Sequence, residues 1–484
     1  MLLDQIATIA KQQAAAPALI HDRQILTYGQ LQALVDILAR DFQRRGIGPG
    51  QVVGLSMVQM PLHCIAILAL ARLGAISLPL SPLVGLDYQI ALCRRYQAQT
   101  IVSSWDRVPI EGIAVIKLDS LTLGVEERDA TPLNFVPTPD TPFRIVLTSG
   151  TSGVPKGILH THRSFMQRMA QTVLDLDGQS RLLPPELHVT LGTFLTMGAL
   201  CRGAAVVFPA DYQVQHVVSA IQFYGVTHLV MIPSQAATFA AALEPGGRAL
   251  SSIRHLRLIG ATPSPQLLAT LHSRCTTHLF VPYAIAEIGV ISIASPATLA
   301  LDPAAAGLVC PWAEVEIVGP DSLPVPDSQL GEIRVRVAGM PDSYAGDAVQ
   351  SALRFRQGWF YTGDLGRLTQ DDLLRIEGRV DDQLNLSGVK LDPSQIEQVI
   401  MACAGVRSAA VVTLAQHDAE PVLAAAIVGE PALSLDALRR HCQEKLEALA
   451  PQHYVMLDTL PLTPTGKVMR GALAALVVRA VATY

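Results

Sequence analysis

The sequence predicts a mixed α/β protein: a large N-terminal domain of layered α/β sheets with a small β subdomain, followed by a small, mobile α+β domain. Up to about residue 375, apolar helical segments alternate with short β-rich runs, which is typical of helices packed on largely parallel sheets. After residue 307 short strands and turns replace this alternation, and past residue 381 the chain has helices and a strand of its own. We therefore expect one domain at residues 1–380 and a second at residues 381–484.

The individual elements follow from hydrophobic periodicity. The clearest helices are expected at residues 28–45, 60–73, 214–224, 264–273, 392–402 and 434–448. The clearest strands are expected at residues 51–56, 100–103, 205–208, 228–231, 278–281, 313–318, 331–337, 373–376 and 409–413. The most apolar stretch, residues 64–80, is interrupted by Arg72 and Pro79 before it reaches membrane-spanning length. It is interpreted as a buried helix followed by a strand, so no membrane span is expected.

Composition narrows the class of protein. Half of the 484 residues are hydrophobic, which is enough for a large core. The net charge is −5 and no basic run occurs, so nucleic acid is not an expected partner. The seven cysteines are scattered without a C-x-x-C pair and indicate neither a disulfide framework nor a cysteine-based zinc site. Because the N-terminus also lacks a signal-peptide pattern, a cytoplasmic location is expected.

A glycine- and hydroxyl-rich loop is the strongest functional signal. Residues 147–157 read LTSGTSGVPKG directly after an apolar run. Gly150 and Gly153 let backbone N–H groups approach an anion, and Lys156 adds a positive charge. The hydroxyl donors are Thr148, Ser149, Thr151 and Ser152. A surface linker of similar composition is the alternative. The loop does not follow the P-loop NTPase pattern, because Lys156 is followed by Gly157 and not by a hydroxyl residue.

Four more motifs follow the loop in order: YAIAE at residues 283–287, GWFYTGDL at 358–365, GRVDD at 378–382 and PLTPTGK at 461–467. Together the five motifs resemble the adenylate-forming superfamily, which includes acyl- and aryl-CoA ligases, nonribosomal peptide synthetase adenylation domains and luciferases. The resemblance extends from residue 46 to Lys467. It implies that a carboxylate attacks the α-phosphate of ATP, pyrophosphate leaves, and a thiol or an amine takes the acyl group.

The resemblance also implies roles for individual residues. Glu287 matches the glutamate that holds Mg²⁺, an ion that prefers oxygen ligands. Tyr283 matches the residue whose ring contacts adenine, while Asp364 and Arg379 match the ribose contacts. Other expected nucleotide contacts are Thr148, which is also expected to act in catalysis, and Gly260, Ala261, Thr262 and Ala284.

Three further residues match family positions that act in adenylation, in domain rotation and in thiol entry. Lys467 matches the lysine that reaches the carboxylate and the α-phosphate during adenylation. Asp381 matches the hinge about which the small domain turns between half-reactions. Gly388 matches a loop position small enough for the pantetheine arm of coenzyme A to pass.

The sequence departs from the family pattern at two positions. Ala284 and Ala286 stand where glycine and threonine are usual. Losing a hydroxyl contact to a phosphate costs about 1.5 to 3 kcal/mol. A catalytically degenerate nucleotide-binding relative is therefore kept as an alternative.

The substrate region disfavours an α-amino acid. His188 stands where amino-acid-activating relatives carry an aspartate, and an imidazole is a poor partner for an ammonium group. A satisfied core histidine is the alternative interpretation of His188. The other expected pocket residues are small or apolar and suit an apolar acyl or aryl acid. They are Leu191, Thr196, Gly260, Ala261 and Ile285.

Coenzyme A is the leading acceptor, with ATP and Mg²⁺ as the other requirements. The alternatives are the phosphopantetheine of an acyl carrier protein and an amine. Residues 381–484 carry eight Lys and Arg against eleven Asp and Glu, a net of −3, which gives no sign of a basic dock for an acidic carrier. Nothing in the sequence marks luciferase-type oxidation.

Overall fold

A computed structural model describes residues 1–106, 110–118, 131–148, 155–172, 175–243, 250–380, 384–386, 389–391, 393–416, 419–431, 433–462 and 468–481. The chain divides into two compact units, Met1–Glu314 with Val335–Phe360, and Val315–Arg334 with Tyr361–Tyr484. The predicted mixed α/β fold, with a large N-terminal and a small C-terminal domain, is confirmed. The boundary at Asp381 falls outside the described residues and stays a prediction.

The helices occur throughout the chain. They are α1 (Leu2–Gln12), α2 (Tyr28–Arg44), α3 (Met60–Leu73), α4 (Leu86–Arg95), α5 (His162–Thr172), α6 (Thr190–Cys201), α7 (Val214–Tyr224), α8 (Pro233–Ala241), α9 (Pro265–Arg274), α10 (Pro296–Leu301), α11 (Ala348–Arg354), α12 (Pro393–Met401), α13 (Leu435–Leu446) and α14 (Arg470–Val481).

The strands are mostly short. They are β1 (Pro17–His21), β2 (Gln24–Thr27), β3 (Val52–Ser56), β4 (Ile76–Pro79), β5 (Thr100–Ser103), β6 (Ala114–Lys117), β7 (Pro142–Thr148), β8 (Lys156–Thr161), β9 (Arg181–Leu183), β10 (Ala205–Phe208), β11 (His228–Met231), β12 (His255–Leu258), β13 (Leu279–Ile285), β14 (Gly289–Ala294), β15 (Gly307–Val309), β16 (Ala313–Val318), β17 (Gly331–Val337), β18 (Phe355–Arg356), β19 (Trp359–Leu368), β20 (Leu373–Arg379), β21 (Leu384–Leu386), β22 (Val389–Leu391), β23 (Val406–Gln416), β24 (Ala419–Gly429) and β25 (His453–Met456).

Two sheets organise the first unit. One has the order β15-β14-β13-β12-β11-β9-β10-β1-β2, and the other has the order β6-β5-β3-β4-β7-β8. Strands β10, β9, β11, β12 and β13 are parallel neighbours, so their carboxyl ends lie along one edge. Ligands bind at this edge in open α/β sheets, so a binding site is expected there.

The apolar segment at residues 64–80 folds as predicted. Helix α3 is buried along nearly its whole length, because its sequence is apolar on every face. It ends at Gly74, whose φ of 70° places it in the left-handed region that favours glycine. Strand β4 follows at once. Within the described parts of the chain, no helix is long and apolar enough to cross a membrane.

Within its described residues, the second unit contains three groups of strands. Strands β21 and β22 pair as a two-stranded sheet. Strands β16, β17, β19 and β20 are hydrogen-bonded in that order. Strands β23, β24 and β25 form a separate sheet, with α12 and α13 contributing to a core on one side and α14 to a core on the other. Strand β23 is longer than the predicted strand at residues 409–413, because it pairs with β24 along a long hairpin.

Candidate active site

The two arms of the glycine-rich loop are antiparallel strands. Strand β7 ends at Thr148 and β8 begins opposite it at Lys156. Thr148 is buried. A Cβ on Gly157 would lie 2.7 Å from Cζ of Tyr96, so a side chain at this position would displace that ring. The loop residues Ser149, Gly150, Thr151, Ser152 and Gly153 lie outside the described residues, and their contacts stay predictions.

Lys156 contacts two side chains of the first unit. Its Nζ donates a hydrogen bond to Oε1 of Gln350 at 2.8 Å and lies 5.2 Å from the centroid of the Tyr344 ring. Gln350 is on α11, whose N-cap is the Asp347 side chain. These contacts hold the ammonium group at the base of the loop.

Tyr344 joins Lys156 to Glu287. Its hydroxyl donates to Oε1 of Glu287 at 2.7 Å, and its backbone N–H donates to Oγ of Ser351 at 2.9 Å. Burial, and then the charge of Glu287, raise the pKa of the Tyr344 hydroxyl. The hydroxyl therefore stays protonated and can keep donating at neutral pH. One tyrosine thus touches two residues that the sequence had assigned to the nucleotide site.

The backbone beside Glu287 is held by Arg168 of α5. Nη1 of this buried arginine donates to the carbonyl oxygens of Ala286 at 2.8 Å and Glu287 at 3.0 Å. Burial lowers the pKa of Arg168 to about 10, so the side chain remains a cation at neutral pH. The backbone at Ala286 is fixed in place although the usual threonine side chain is missing.

A hairpin carries the YAIAE motif. Strands β13 and β14 pair with Tyr283 opposite Ser292 and Ile285 opposite Gly289, and the register shifts between Tyr283 and Ala284. Residues Gly260, Ala261 and Thr262 follow β12 and are exposed. Because β12 and β13 are parallel neighbours, the two predicted nucleotide segments emerge from adjacent strands at the same sheet edge.

The second unit holds Asp364 and Arg379 as a pair. They lie opposite each other on β19 and β20, and Nη1 of Arg379 donates to Oδ1 of Asp364 at 2.8 Å. Asp364 is buried, and its backbone N–H donates to Oγ1 of Thr362 at 3.0 Å. The arginine therefore orients one carboxylate oxygen of Asp364.

Two of the predicted acid-binding residues, His188 and Leu191, lie at the start of α6. Oγ1 of Thr190 donates to the carbonyl of Leu147 at 2.9 Å, which joins the start of α6 to the end of β7. Leu191 is partly buried against the core. Fully buried Arg144 donates to the Leu187 carbonyl at 3.1 Å. Burial, and then the charge of Arg144, lower the pKa of His188 to about 4.

His188 is therefore neutral at physiological pH, which yields a stability prediction. Its folded-state pKa of about 4 is below the ordinary 6.5, so the unfolded chain binds the proton first as the pH falls. We expect the free energy of unfolding to fall by up to about 1.4 kcal/mol per pH unit between about pH 6.5 and pH 4 from this group. Urea unfolding at pH 7.0 and 5.5 measures this. His188→Gln should reduce the difference, whereas exposed His272→Gln should leave it unchanged; an identical difference in all three proteins would contradict the assignment.

Three other predicted residues, Lys467, Asp381 and Gly388, lie outside the described residues, and their roles stay predictions. The structure adds Tyr344, Gln350 and Arg168, which the sequence did not indicate. Tyr344 lies 57 residues after Glu287 in the chain, and no local pattern links the two. The only sequence signal for Tyr344 is that an aromatic residue precedes the turn at Gly346.

Comparison with known proteins defines the class. The sequence model of the AMP-binding enzyme family matches residues 6–345, and that of the AMP-binding enzyme C-terminal domain matches residues 395–467. The class is that of the adenylate-forming ligases. The chain belongs to the AMP-binding enzyme family.

Its relatives include coenzyme A ligases and a peptide synthetase. The indoleacetate–CoA ligase of Aromatoleum aromaticum is 28% identical over 480 residues, which cover 94% of each chain. A probable non-canonical nonribosomal peptide synthetase of Salinispora arenicola, CymA, is 28% identical over 483 residues, which cover 95% of this chain and 6% of that protein. The solved o-succinylbenzoate CoA synthetase of Bacillus subtilis, in complex with its acyl-adenylate, has a TM-score of 0.86 at 21% identity, with 97% of each chain covered. This last likeness shows the fold.

Proposed function

We propose that the protein activates a carboxylic acid with ATP, releases pyrophosphate, and transfers the acyl group from the acyl-adenylate to the thiol of coenzyme A. The observation that carries the proposal is the contact chain Lys156–Tyr344–Glu287. It joins the glycine-rich loop to the predicted magnesium residue within one unit. A cation at the loop and an acidic residue for Mg²⁺ are what a reaction that accumulates phosphate charge requires.

The donor set around Glu287 fits Mg²⁺. The Tyr344 hydroxyl occupies only one lone pair of the carboxylate, which leaves oxygen donors of the kind that Mg²⁺ prefers. Bound Mg²⁺ would neutralise phosphate charge and help the pyrophosphate to leave. The chain's own contribution is to orient Glu287 through Tyr344 and Arg168, and to present Lys156 to the phosphates. We assign Asp364, whose carboxylate is oriented by a hydrogen bond from Arg379, to the ribose hydroxyls.

An apolar acyl or aryl acid is the proposed substrate class. Leu191 and Ile285 offer apolar surface, and His188 is neutral, so none of the three supplies a negative charge to pair with a substrate ammonium. The indoleacetate–CoA ligase, which aligns over nearly its whole length, supports an aromatic acid and coenzyme A. Transfer to a carrier protein remains the second candidate, because a nonribosomal peptide synthetase is among the relatives.

The test is acid-dependent pyrophosphate release from ATP across fatty, aryl and amino acids, with and without coenzyme A, and with products identified by mass spectrometry. An acyl-CoA from an apolar acid is the expected product. Adenylate without thioester would favour a carrier or an amine as acceptor. No release with any acid would support the degenerate nucleotide-binding alternative raised by Ala284 and Ala286.

Removing the Tyr344 hydroxyl should raise the Mg²⁺ concentration that the reaction requires. In Tyr344→Phe the Glu287 carboxylate loses its orienting donor, and losing a hydrogen bond that orients a metal ligand costs roughly 10- to 100-fold in metal affinity or activity. The measurement is pyrophosphate release against Mg²⁺ concentration. The matched control is Tyr28→Phe, which removes a buried tyrosine hydroxyl that donates to the Leu200 carbonyl. Equal Mg²⁺ requirements in both variants would contradict the role of Tyr344.

Enlarging Gly388 should separate the two half-reactions. If the pantetheine arm passes this position, Gly388→Leu slows thioester formation by roughly tenfold or more because the side chain fills the passage, and pyrophosphate release is retained. Single-turnover assays of each half-reaction measure this. Gly471→Leu is the control, since a side chain at that glycine meets nothing within 4 Å. Loss of both half-reactions in Gly388→Leu alone would count against the assignment.

A further inference from the structure

Histidines begin three successive strand segments of the first unit. The sequence repeats His-Leu at His228, His255 and His278, and these positions lie at or directly before the starts of β11, β12 and β13. Strands β11 and β12 are parallel with His228 opposite His255. The histidines therefore lie at the amino ends of the strands, whereas the predicted nucleotide segments follow their carboxyl ends. At ~3.3 Å per residue, the four-residue strands separate the two edges by roughly 10 Å or more.

Asp175 completes a cluster with two of these histidines. Its Oδ2 lies 3.4 Å from Nε2 of His228 and 3.4 Å from Nδ1 of His255. Among the described residues, these three side chains are the one group of at least three His, Cys, Asp or Glu whose ligand atoms converge, all within 4.8 Å of one another. The His228 side chain is only 6% exposed, and that of His255 is 28% exposed. An ion could therefore enter from the His255 side.

Neighbouring groups orient the three side chains. Arg257 forms an ion pair with Oδ1 of Asp175 and donates to the Thr172 carbonyl at 2.8 Å, which leaves Oδ2 facing the histidines. Nδ1 of His228 lies 2.8 Å from Oγ1 of Thr227. When that nitrogen carries the proton, Nε2 presents its lone pair to Asp175. Metal-binding histidines and carboxylates are commonly fixed by such hydrogen bonds.

Two atoms in this cluster lack hydrogen bonds. Oδ2 of Asp175 and Nε2 of His228 are buried, and neither makes one with any described residue. Burying polar atoms without a partner costs free energy, so an occupant for this position is favoured. A small cavity lined by Leu182 and Leu229 adjoins His228 and His255.

The two spacings from Asp175 suit one tetrahedral ion. Zinc binds imidazole nitrogen and carboxylate oxygen at about 2.0 to 2.2 Å, so tetrahedral ligand atoms lie roughly 3.3 to 3.6 Å apart. Both distances from Asp175 fall in this range. The imidazoles of His228 and His255 are stacked nearly parallel with centroids 4.7 Å apart. Binding both to one ion requires the more exposed His255 to turn about its side-chain bonds.

We propose that Asp175, His228 and His255 bind one divalent transition-metal ion of the zinc class, with water as the remaining ligand. The site is at the sheet edge opposite the predicted ATP contacts. It binds its ion whether or not the proposed acid activation is correct. Its chemical class follows from the ligands, since imidazole and carboxylate together suit Zn²⁺ and Co²⁺.

The test uses the full chain after dialysis against EDTA, titrated with Co²⁺ and followed by visible absorption. We expect one equivalent to give the ligand-field bands of a tetrahedral nitrogen and oxygen site, and one equivalent of Zn²⁺ to abolish them. Asp175→Asn and His255→Gln should lose the bands while keeping the wild-type circular dichroism spectrum.

His216→Gln is the matched control, because His216 also contacts an aspartate, Asp211, at 2.6 Å but has no second histidine in that pair. This variant should retain the bands. We prefer His255→Gln to a substitution of His228, because replacing the buried His228 could impair folding. Absence of one-equivalent binding in the wild-type protein would overturn the proposal. Bands that persist unchanged in folded His255→Gln would also overturn it.

Discussion

Lys467→Ala should lower acid-dependent pyrophosphate release on the order of 10²- to 10³-fold, because the adenylation step loses a cation placed where charge develops. Transfer of the acyl group from preformed acyl-adenylate to coenzyme A should be spared, since no bond to the α-phosphate forms in that step. Stopped assays that supply either ATP with acid or the isolated acyl-adenylate measure the two halves separately.

Lys445→Ala provides the control for this variant. Lys445 is an exposed lysine in the last turn of α13, so its removal tests for a general effect of charge on the C-terminal region. Both half-reactions should continue at the wild-type rate in this control. Retention of adenylation in Lys467→Ala would refute the assignment of the lysine.

Glu287→Gln should cause a loss of similar size, on the order of 10²- to 10³-fold, in the same half-reaction. The amide keeps the shape of the side chain and can still accept a hydrogen bond from Tyr344, but it removes the negative charge assigned to Mg²⁺. Raising the Mg²⁺ concentration should recover part of the rate. Pyrophosphate release at increasing Mg²⁺ measures both effects.

The matched control is Glu314→Gln. Glu314 is an exposed glutamate that pairs with Arg336, and it has no assigned role in the reaction. Activity and Mg²⁺ dependence should be unchanged there. A Glu287→Gln enzyme with the wild-type Mg²⁺ dependence would show that the carboxylate does not bind the ion, whatever its effect on rate.

Local signals predicted the elements of the fold well. Helices α3 and α7 have the predicted bounds, because an apolar run ends at a glycine in each. Strand β13 extends to Ile285, past its predicted end, because its second half pairs with β14 in a hairpin. The hydrophobic periodicity of β13 ends where the strand leaves the parallel sheet. The second half of β13 is defined by its pairing with β14 in the hairpin.

The same limit applies to the candidate site. Glu287 and Lys156 could be predicted because each belongs to a short motif. Tyr344 could not, since it reaches Glu287 only through the folding of β13, β14 and the segment before α11. The contacts of buried Arg168 with the backbone at Ala286 and Glu287 could not be predicted for the same reason. The orientation of the site side chains depends on contacts between residues that are far apart in the sequence.

At Ala286 the structure retains backbone contacts that the sequence alone does not show. The sequence shows a lost threonine hydroxyl, which counts against catalysis. The structure shows that the Ala286 carbonyl still accepts a hydrogen bond from Arg168 and that Glu287 remains oriented by Tyr344. These contacts keep Glu287 in the position assigned to Mg²⁺, and we therefore propose catalysis ahead of nucleotide binding alone.

The most direct test of the central claim follows oxygen from the acid. The protein is incubated with ATP, coenzyme A and an accepted carboxylic acid carrying ¹⁸O in both carboxylate oxygens, and the AMP is analysed by mass spectrometry. If the carboxylate attacks the α-phosphate and the thiol then displaces AMP at the acyl carbon, each AMP carries one ¹⁸O. Unlabelled AMP formed with the acyl product, or ADP and phosphate in place of AMP and pyrophosphate, would contradict activation through an acyl-adenylate.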